Sequence, residues 1–160
     1  MSMVEIHNSV AKFYEENKET LEIFECLDEF SDTQNFCDHY GFDIEDSCNA
    51  ILIKAKKPEE FYAMFCVLGA NRLDVNHKAK EAMGAKRVSF ASREEAEAVT
   101  GQIYGGISPL GLPENIKVYM DKNVTDREKL FIGAGNRFSK FFLSPETLID
   151  LSSAKVLDLT

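Results

Sequence analysis

The stretch Gly101-Gln102-Ile103-Tyr104-Gly105-Gly106-Ile107-Ser108-Pro109-Leu110-Gly111 limits what this chain can fold into more than any other. Four glycines and a proline in eleven residues rule out a helix or strand interior. Glycine accepts positive φ without a Cβ clash, and proline fixes φ and removes one N–H donor. Tyr104 to Ile107 is apolar enough to lie against a sheet, so the loop is expected between buried strands. Its backbone N–H groups would then point one way with no side chains in front of them. That arrangement can hold an anion or a polarised carbonyl oxygen. A tight turn serving only the fold is the plainer reading of the same residues.

With 160 residues and 44% hydrophobic content, the chain reads as a single domain able to bury a core. No apolar run approaches the roughly 20 residues of a membrane span, and the N-terminus lacks a basic-then-apolar leader. A soluble, cytoplasmic protein is expected. Cys26, Cys37, Cys48 and Cys66 are scattered without a C-x-x-C pair, and His7, His39 and His77 show no ligand spacing with them. The cysteines read as reduced, with no metal and no cofactor. The net charge of −9 argues against DNA or broad nucleic-acid binding. The charge is uneven, however. Residues 1–47 carry 13 acids and 2 lysines, whereas Arg72, Lys78, Lys80, Lys86 and Arg87 form a local basic segment. Such a face can meet a phosphate backbone at a few points, or be an ordinary solvated helix surface.

In order, the pattern predicts a first amphipathic helix over Met3 to Lys18 and a strand over Leu21 to Leu27. A short capped helix should follow to His39, ended by Gly41. Cys48 to Ile53 and Phe61 to Leu68 read as central strands joined through Lys57-Pro58. A helix over Asp74 to Met83 stops at Gly84. Arg87 to Phe90 is a strand, and Ser92 with Glu95 opens a helix that Gly101 ends. Further strands are expected over Ile116 to Met120, Leu130 to Ile132 and Phe141 to Leu143. Between the last two lies a second glycine turn, Gly133-Ala134-Gly135. Ser144-Pro145 opens a last helix, and Val156-Leu157 reads as an edge strand. The fold class is α+β: a mixed, largely antiparallel central sheet of about six or seven strands flanked by helices.

Several features now align. Thr100-Gly101-x-x-x-Gly105-Gly106-x-Ser108-Pro109-x-Gly111 follows two central strands and the segment Lys78 to Val88. It precedes Gly133-Ala134-Gly135-Asn136-Arg137 and Leu143-Ser144-Pro145-Glu146. Over residues 20–160 this order resembles the YbaK/prolyl-tRNA-synthetase-associated domain family of trans-editing aminoacyl-tRNA deacylases. The resemblance implies hydrolysis of the ester joining a wrong amino acid to the 3′ end of a tRNA. It implies catalysis by loop backbone amides, by a lysine near the start of the first central strand and by the substrate's own ribose hydroxyl. By position, Gly105, Gly106, Ile107 and Ser108 become the catalytic loop. Asn49, Gly101, Tyr104, Pro109, Gly133, Gly135 and Arg137 become substrate-binding residues, and the local basic segment offers Arg72, Lys78 and Lys80 as tRNA contacts. The lysine position itself holds Asn49, a donor without charge. Lys54, five residues on, falls on the other face of the strand.

Other chemistry is poorly supported. Cys48 has no histidine near it in sequence, and Ser108 is not in G-x-S-x-G and lacks triad partners. His77 reads as a surface residue, and Asp121 as a polar group of the pocket. Two functions remain open: an editing hydrolase, or a binding module that lost catalysis with the lysine and holds an aminoacyl or nucleotide ligand or an aminoacyl-tRNA synthetase.

Overall fold

The structure, a computed structural model, describes residues 8–160. Among the described residues, eight strands and five α-helices are arranged as a mixed α+β fold. The strands are β1 (Glu22–Glu25), β2 (Cys48–Lys57), β3 (Phe61–Leu68), β4 (Arg87–Phe90), β5 (Lys117–Asp121), β6 (Leu130–Gly133), β7 (Ser139–Leu143) and β8 (Lys155–Leu157). The helices are α1 (Asn8–Glu16), α2 (Thr33–Tyr40), α3 (Lys80–Met83), α4 (Arg93–Thr100) and α5 (Pro145–Ser152). The first helix of the sequence analysis is seen over Asn8–Glu16; residues 3–7 of that expectation lie outside the described residues.

The strands do not form one sheet of six or seven. They divide into a five-stranded sheet, ordered β4-β2-β3-β5-β8, and a three-stranded sheet, ordered β1-β7-β6. Four of the six pairings are antiparallel; β3–β5 and β5–β8 are parallel. A single bridge from Ser47 to Phe131 links the two sheets. Period-two alternation shows which face of a strand is buried but not which strand it pairs with, so the split is invisible in the pattern.

Alternation along β2 and β3 sends side chains to two cores. Cys48, Leu52, Met64 and Cys66 join Leu130, Ile132, Phe141 and Leu143 between the sheets. Ile53, Ala55, Phe65 and Val67 pack against Leu73, Ala79 and Met83 on the far side. A third, aromatic cluster (Phe36, Phe131 and Phe142, with Phe24, Tyr40 and Phe42) lies where α2 covers the three-stranded sheet. Phe24 meets Phe36, Tyr40 and Phe42 edge-on, the arrangement the ring quadrupole favours.

Helix α4 leads into the glycine loop and is tied down at its start. Ser92 Oγ accepts from the Glu95 amide at 3.1 Å, and Glu95 Oε1 accepts from the Ser92 amide at 3.0 Å. Glu95 Oε2 also accepts from Lys54 Nζ at 2.7 Å and from Tyr62 hydroxyl at 2.8 Å, which pins the helix start to β2 and β3. The lysine first, then the Ser92 amide and Tyr62, hold the Glu95 carboxyl down at about 2, against its ordinary 4.5. A depressed folded value means that this stabilisation is complete above the ordinary value and is lost as pH falls from there toward 2. The melting-temperature gap between the native protein and Glu95→Gln should therefore be largest at neutral pH and close between pH 5 and pH 2. A constant gap over that range contradicts the network.

Candidate functional site

Two glycine segments meet backbone to backbone. Gly101, at φ +71°, ends α4 and its amide donates to Glu97 carbonyl. The chain then packs against the turn after β6. Ile103 N–H donates to Gly135 carbonyl at 3.0 Å, and Gly135 N–H donates to Gly106 carbonyl at 2.7 Å. No Cβ fits at the contact: one on Gly106 would stand 1.8 Å from the Asn136 carbonyl oxygen. One on Gly133 would stand 2.5 Å from the Ile107 carbonyl oxygen. Glycine is required here by close approach rather than by dihedral angle.

The loop is stitched from inside by Gln102, which is only 1% exposed. Its Oε1 accepts from Ser108 N–H at 2.6 Å, and its Nε2 donates to the carbonyls of Ser108 at 3.3 Å and Leu110 at 3.0 Å. Ser108 Oγ in turn accepts from Leu110 N–H at 3.1 Å. The amides of the loop can now be accounted for one by one. Tyr104 N–H donates to Glu97 Oε2, Gly106 N–H to Ile103 carbonyl and Ser108 N–H to Gln102. The amides of Gly105 and Ile107 make no hydrogen bond among the described residues.

Both residues line a cavity of about 300 Å³. One wall is Tyr104 to Ile107 with Gly133, and a second is the start of β2, Cys48 to Ala50. Asp32 and Thr33 at the start of α2, with Lys140 from β7, complete it. Asn49 Oδ1 accepts from Thr33 Oγ1 at 3.3 Å and from Ser47 Oγ at 3.2 Å. Its NH₂ group donates to no partner among the described residues, which leaves its donors for a ligand. Tyr104 is half exposed and stands under the Arg93 guanidinium. Lys140 is 6% exposed; burial is the main cause that lowers its ammonium below the ordinary lysine value.

The structure brings Asn49, Tyr104, Gly105, Gly106, Ile107 and Gly133 together around this cavity. Others in the sequence reading fall elsewhere. Ser108 is fully buried behind the loop with its amide committed to Gln102, so it cannot offer that N–H to a ligand. Pro109 lines a different groove, with Leu110 to Glu114 and Lys117. Gly101 and Gly135 shape the backbone without bordering the cavity. Arg137 is spoken for by acids: its Nε donates to Asp28 and its Nη1 to Asp32 at 3.1 Å, which fastens the start of α2 beside Gly105. Lys78 pairs with Asp158 and donates to Thr160 carbonyl, and α3 packs on the far core, away from the cavity. Asp121 is fully buried and accepts from Leu159 N–H at 2.8 Å, so it anchors the C-terminal segment and is no pocket group.

Gln102, Asp32, Thr33 and Lys140 were missed. A signal existed for Lys140, a lone cation within the apolar run Ser139 to Leu143. The Cys48 thiol is raised well above its ordinary value by its hydrogen bond with Cys66 and by burial, which makes it inert as a nucleophile. Among the described residues no group of three His, Cys, Asp or Glu side chains could hold a metal ion, and no helix is long and apolar enough to cross a membrane.

Comparison with known proteins bears on the family and the fold. A protein of Enterococcus faecalis named as a candidate Cys-tRNA(Pro)/Cys-tRNA(Cys) deacylase, EbsC, is 30% identical over 92 residues, 58% of this chain and 56% of the relative. A proline–tRNA ligase of Nautilia profundicola is 33% identical over 106 residues, 65% of this chain but 18% of the ligase. The chain thus spans about half of one of these relatives and a fifth of the other. A crystal structure described as a candidate trans-editing enzyme for prolyl-tRNA synthetase superposes with a TM-score of 0.82. That match covers 98% of this chain and 99% of the other at 22% identity, a likeness of fold. The model of the aminoacyl-tRNA editing domain matches residues 28–151, from the acid that grips Arg137 to the last turns of α5. With both glycine segments and the cavity inside that span, the chain belongs to the aminoacyl-tRNA editing domain family.

Proposed function

We propose that the protein is an aminoacyl-tRNA deacylase that hydrolyses the ester of a mischarged tRNA. The observation that carries this reading is the pair of open amides, Gly105 and Ile107, on a cavity with room for little more than an aminoacyl group and its ribose. Preorganised N–H donors stabilise an ester oxygen as charge builds on it, and each such donor contributes about 3 kcal/mol to lowering the barrier. This pair replaces the longer Gly105-to-Ser108 set that the sequence suggests, because Gly106 and Ser108 have spent their amides. The Asn49 NH₂ group suits a ribose hydroxyl or carbonyl, and the half-exposed Tyr104 ring suits stacking with the terminal adenine. The Asp32 carboxylate on the same wall suits the α-ammonium of the amino acid. A tRNA acceptor stem extends far beyond the cavity, and Arg72 and Lys80 are our proposed contacts for its phosphates.

The relatives named for Cys-tRNA(Pro) and for proline–tRNA ligation make tRNA for proline the first substrate to try. Purified protein should release the amino acid from one member of a panel carrying Ala, Ser, Thr or Cys on that tRNA, and spare Pro on the same tRNA. Silence across the panel from a folded protein would leave this proposal without a substrate and turn attention to a binding role, with an aminoacyl-tRNA synthetase as the partner to test.

A further inference from the structure

Lys140 is out of place for a residue chosen by packing. It occupies β7 opposite Phe24, two residues from Phe142, on the face that builds the aromatic cluster. There its ammonium donates to Ser31 carbonyl at 2.7 Å and stands 5.5 Å from the centre of the Phe36 ring. No carboxylate lies within ion-pair distance of it among the described residues, although Asp32, Arg137, Cys26 and Cys37 surround it. Ser31 Oγ beside it is buried without a hydrogen-bond partner. An ammonium has three protons to place, and one neutral hydrogen bond with one ring face does not compensate for its burial. The positive end of α2 opposes it further. A methionine or leucine would fill the same space without that penalty. What the lysine offers instead is an ammonium on the wall of the cavity that Tyr104 to Ile107 also line.

We propose that Lys140 is a catalytic residue, its ammonium stabilising the ester oxygen on which negative charge builds as water attacks. It would thereby supply from β7 the charge that Asn49 cannot supply from β2. In the step, water adds to the carbonyl carbon and the carbonyl oxygen takes the negative charge, facing Lys140 and the amides of Gly105 and Ile107. The ester C–O bond then breaks, and the ribose oxygen leaves with a proton from the attacking water. Lys140 keeps its own protons throughout. A preorganised charge held on a buried side chain stabilises such an oxygen strongly because little must reorganise around it during the step. The inference rests on the deacylase reading above.

The test is Lys140→Met, assayed in single-turnover and steady-state deacylation of the tRNA that the native protein hydrolyses, with melting temperature measured alongside. The expected result is a folded variant with unchanged or raised melting temperature, kcat reduced about 10²-fold and KM within about threefold of native. Loss of rate without loss of stability separates this role from a merely structural one. Native kcat in the variant overturns the proposal and leaves the deacylase reading intact. A raised KM with native kcat overturns it too, since the ammonium then grips bound substrate rather than the transition state. Failure of the native protein to hydrolyse any substrate overturns both. Should Lys140→Met not fold, Lys140→Gln keeps a donor for Ser31 carbonyl, and the same outcomes decide.

Discussion

Gly106→Ala should cost about 3 kcal/mol or more of stability, lower the melting temperature by roughly 10 °C and leave deacylation at least about 10²-fold slower. The added methyl group would sit 1.8 Å from the Asn136 carbonyl oxygen, 2.4 Å from its carbon and 3.1 Å from its Cα. All three are backbone, so no rotamer change can relieve the clash. The two glycine segments must part, and with them goes the Gly135 N–H to Gly106 carbonyl bond at 2.7 Å. Because Gly105 and Ile107 flank the displaced residue, both proposed oxyanion donors lose their aim. Gly84→Ala provides the comparison. Gly84 also needs a special backbone, with φ +63°, but has nothing within 4 Å of a built Cβ. That substitution should cost only about 1–2 kcal/mol and leave the rate alone. If Gly106→Ala melts no lower than Gly84→Ala, the close packing of the two segments is not what holds the site.

Local signals carried much of the fold. Gly41, Gly84 and Gly101 were readable as helix ends, and each sits there in the left-handed region. Strands β3 and β4 fall over the residues that the sequence reading gave them, Phe61–Leu68 and Arg87–Phe90. Pairing was not readable, because it depends on partners far along the chain. The same distance hid half of the site. Lys140 stands out as a lone cation in an apolar run, but its partner Ser31 lies 109 residues away, so the run alone does not say what it meets. The glycine loop could be read as a backbone site from composition, yet not which amides remain open. That turns on Glu97, the Ile103 carbonyl and Gln102, which take the amides of Tyr104, Gly106 and Ser108. Pro109 was misjudged for a related reason: the chain turns away at Ser108, so neighbours in sequence face different cavities.

Gln102 therefore yields the second large effect, and one whose dependence on pH tests the stitching directly. Replacing it with leucine strips partners from Ser108 N–H, Ser108 carbonyl and Leu110 carbonyl, all on buried residues. Each unsatisfied buried group costs about 1–3 kcal/mol, and with some relaxation of the loop the total should be about 3 kcal/mol. Gln102→Glu keeps the shape and still accepts from Ser108 N–H, but it turns the donor end into a second oxygen facing two carbonyls. A carboxylate there is both desolvated and repelled, so its folded pKa must rise above that of the unfolded chain. The sign then follows: the charged form is the penalised one, so the variant is least stable at high pH and regains stability as acid returns the proton and with it one donor. Urea denaturation at pH 8, 6.5 and 5 should show the gap between native and Gln102→Glu narrowing steadily, whereas the gap for Gln102→Leu stays flat. A Gln102→Glu gap that does not change with pH would mean that the side chain has swung out to solvent. In that case the loop holds its shape, and its two open amides, without Gln102.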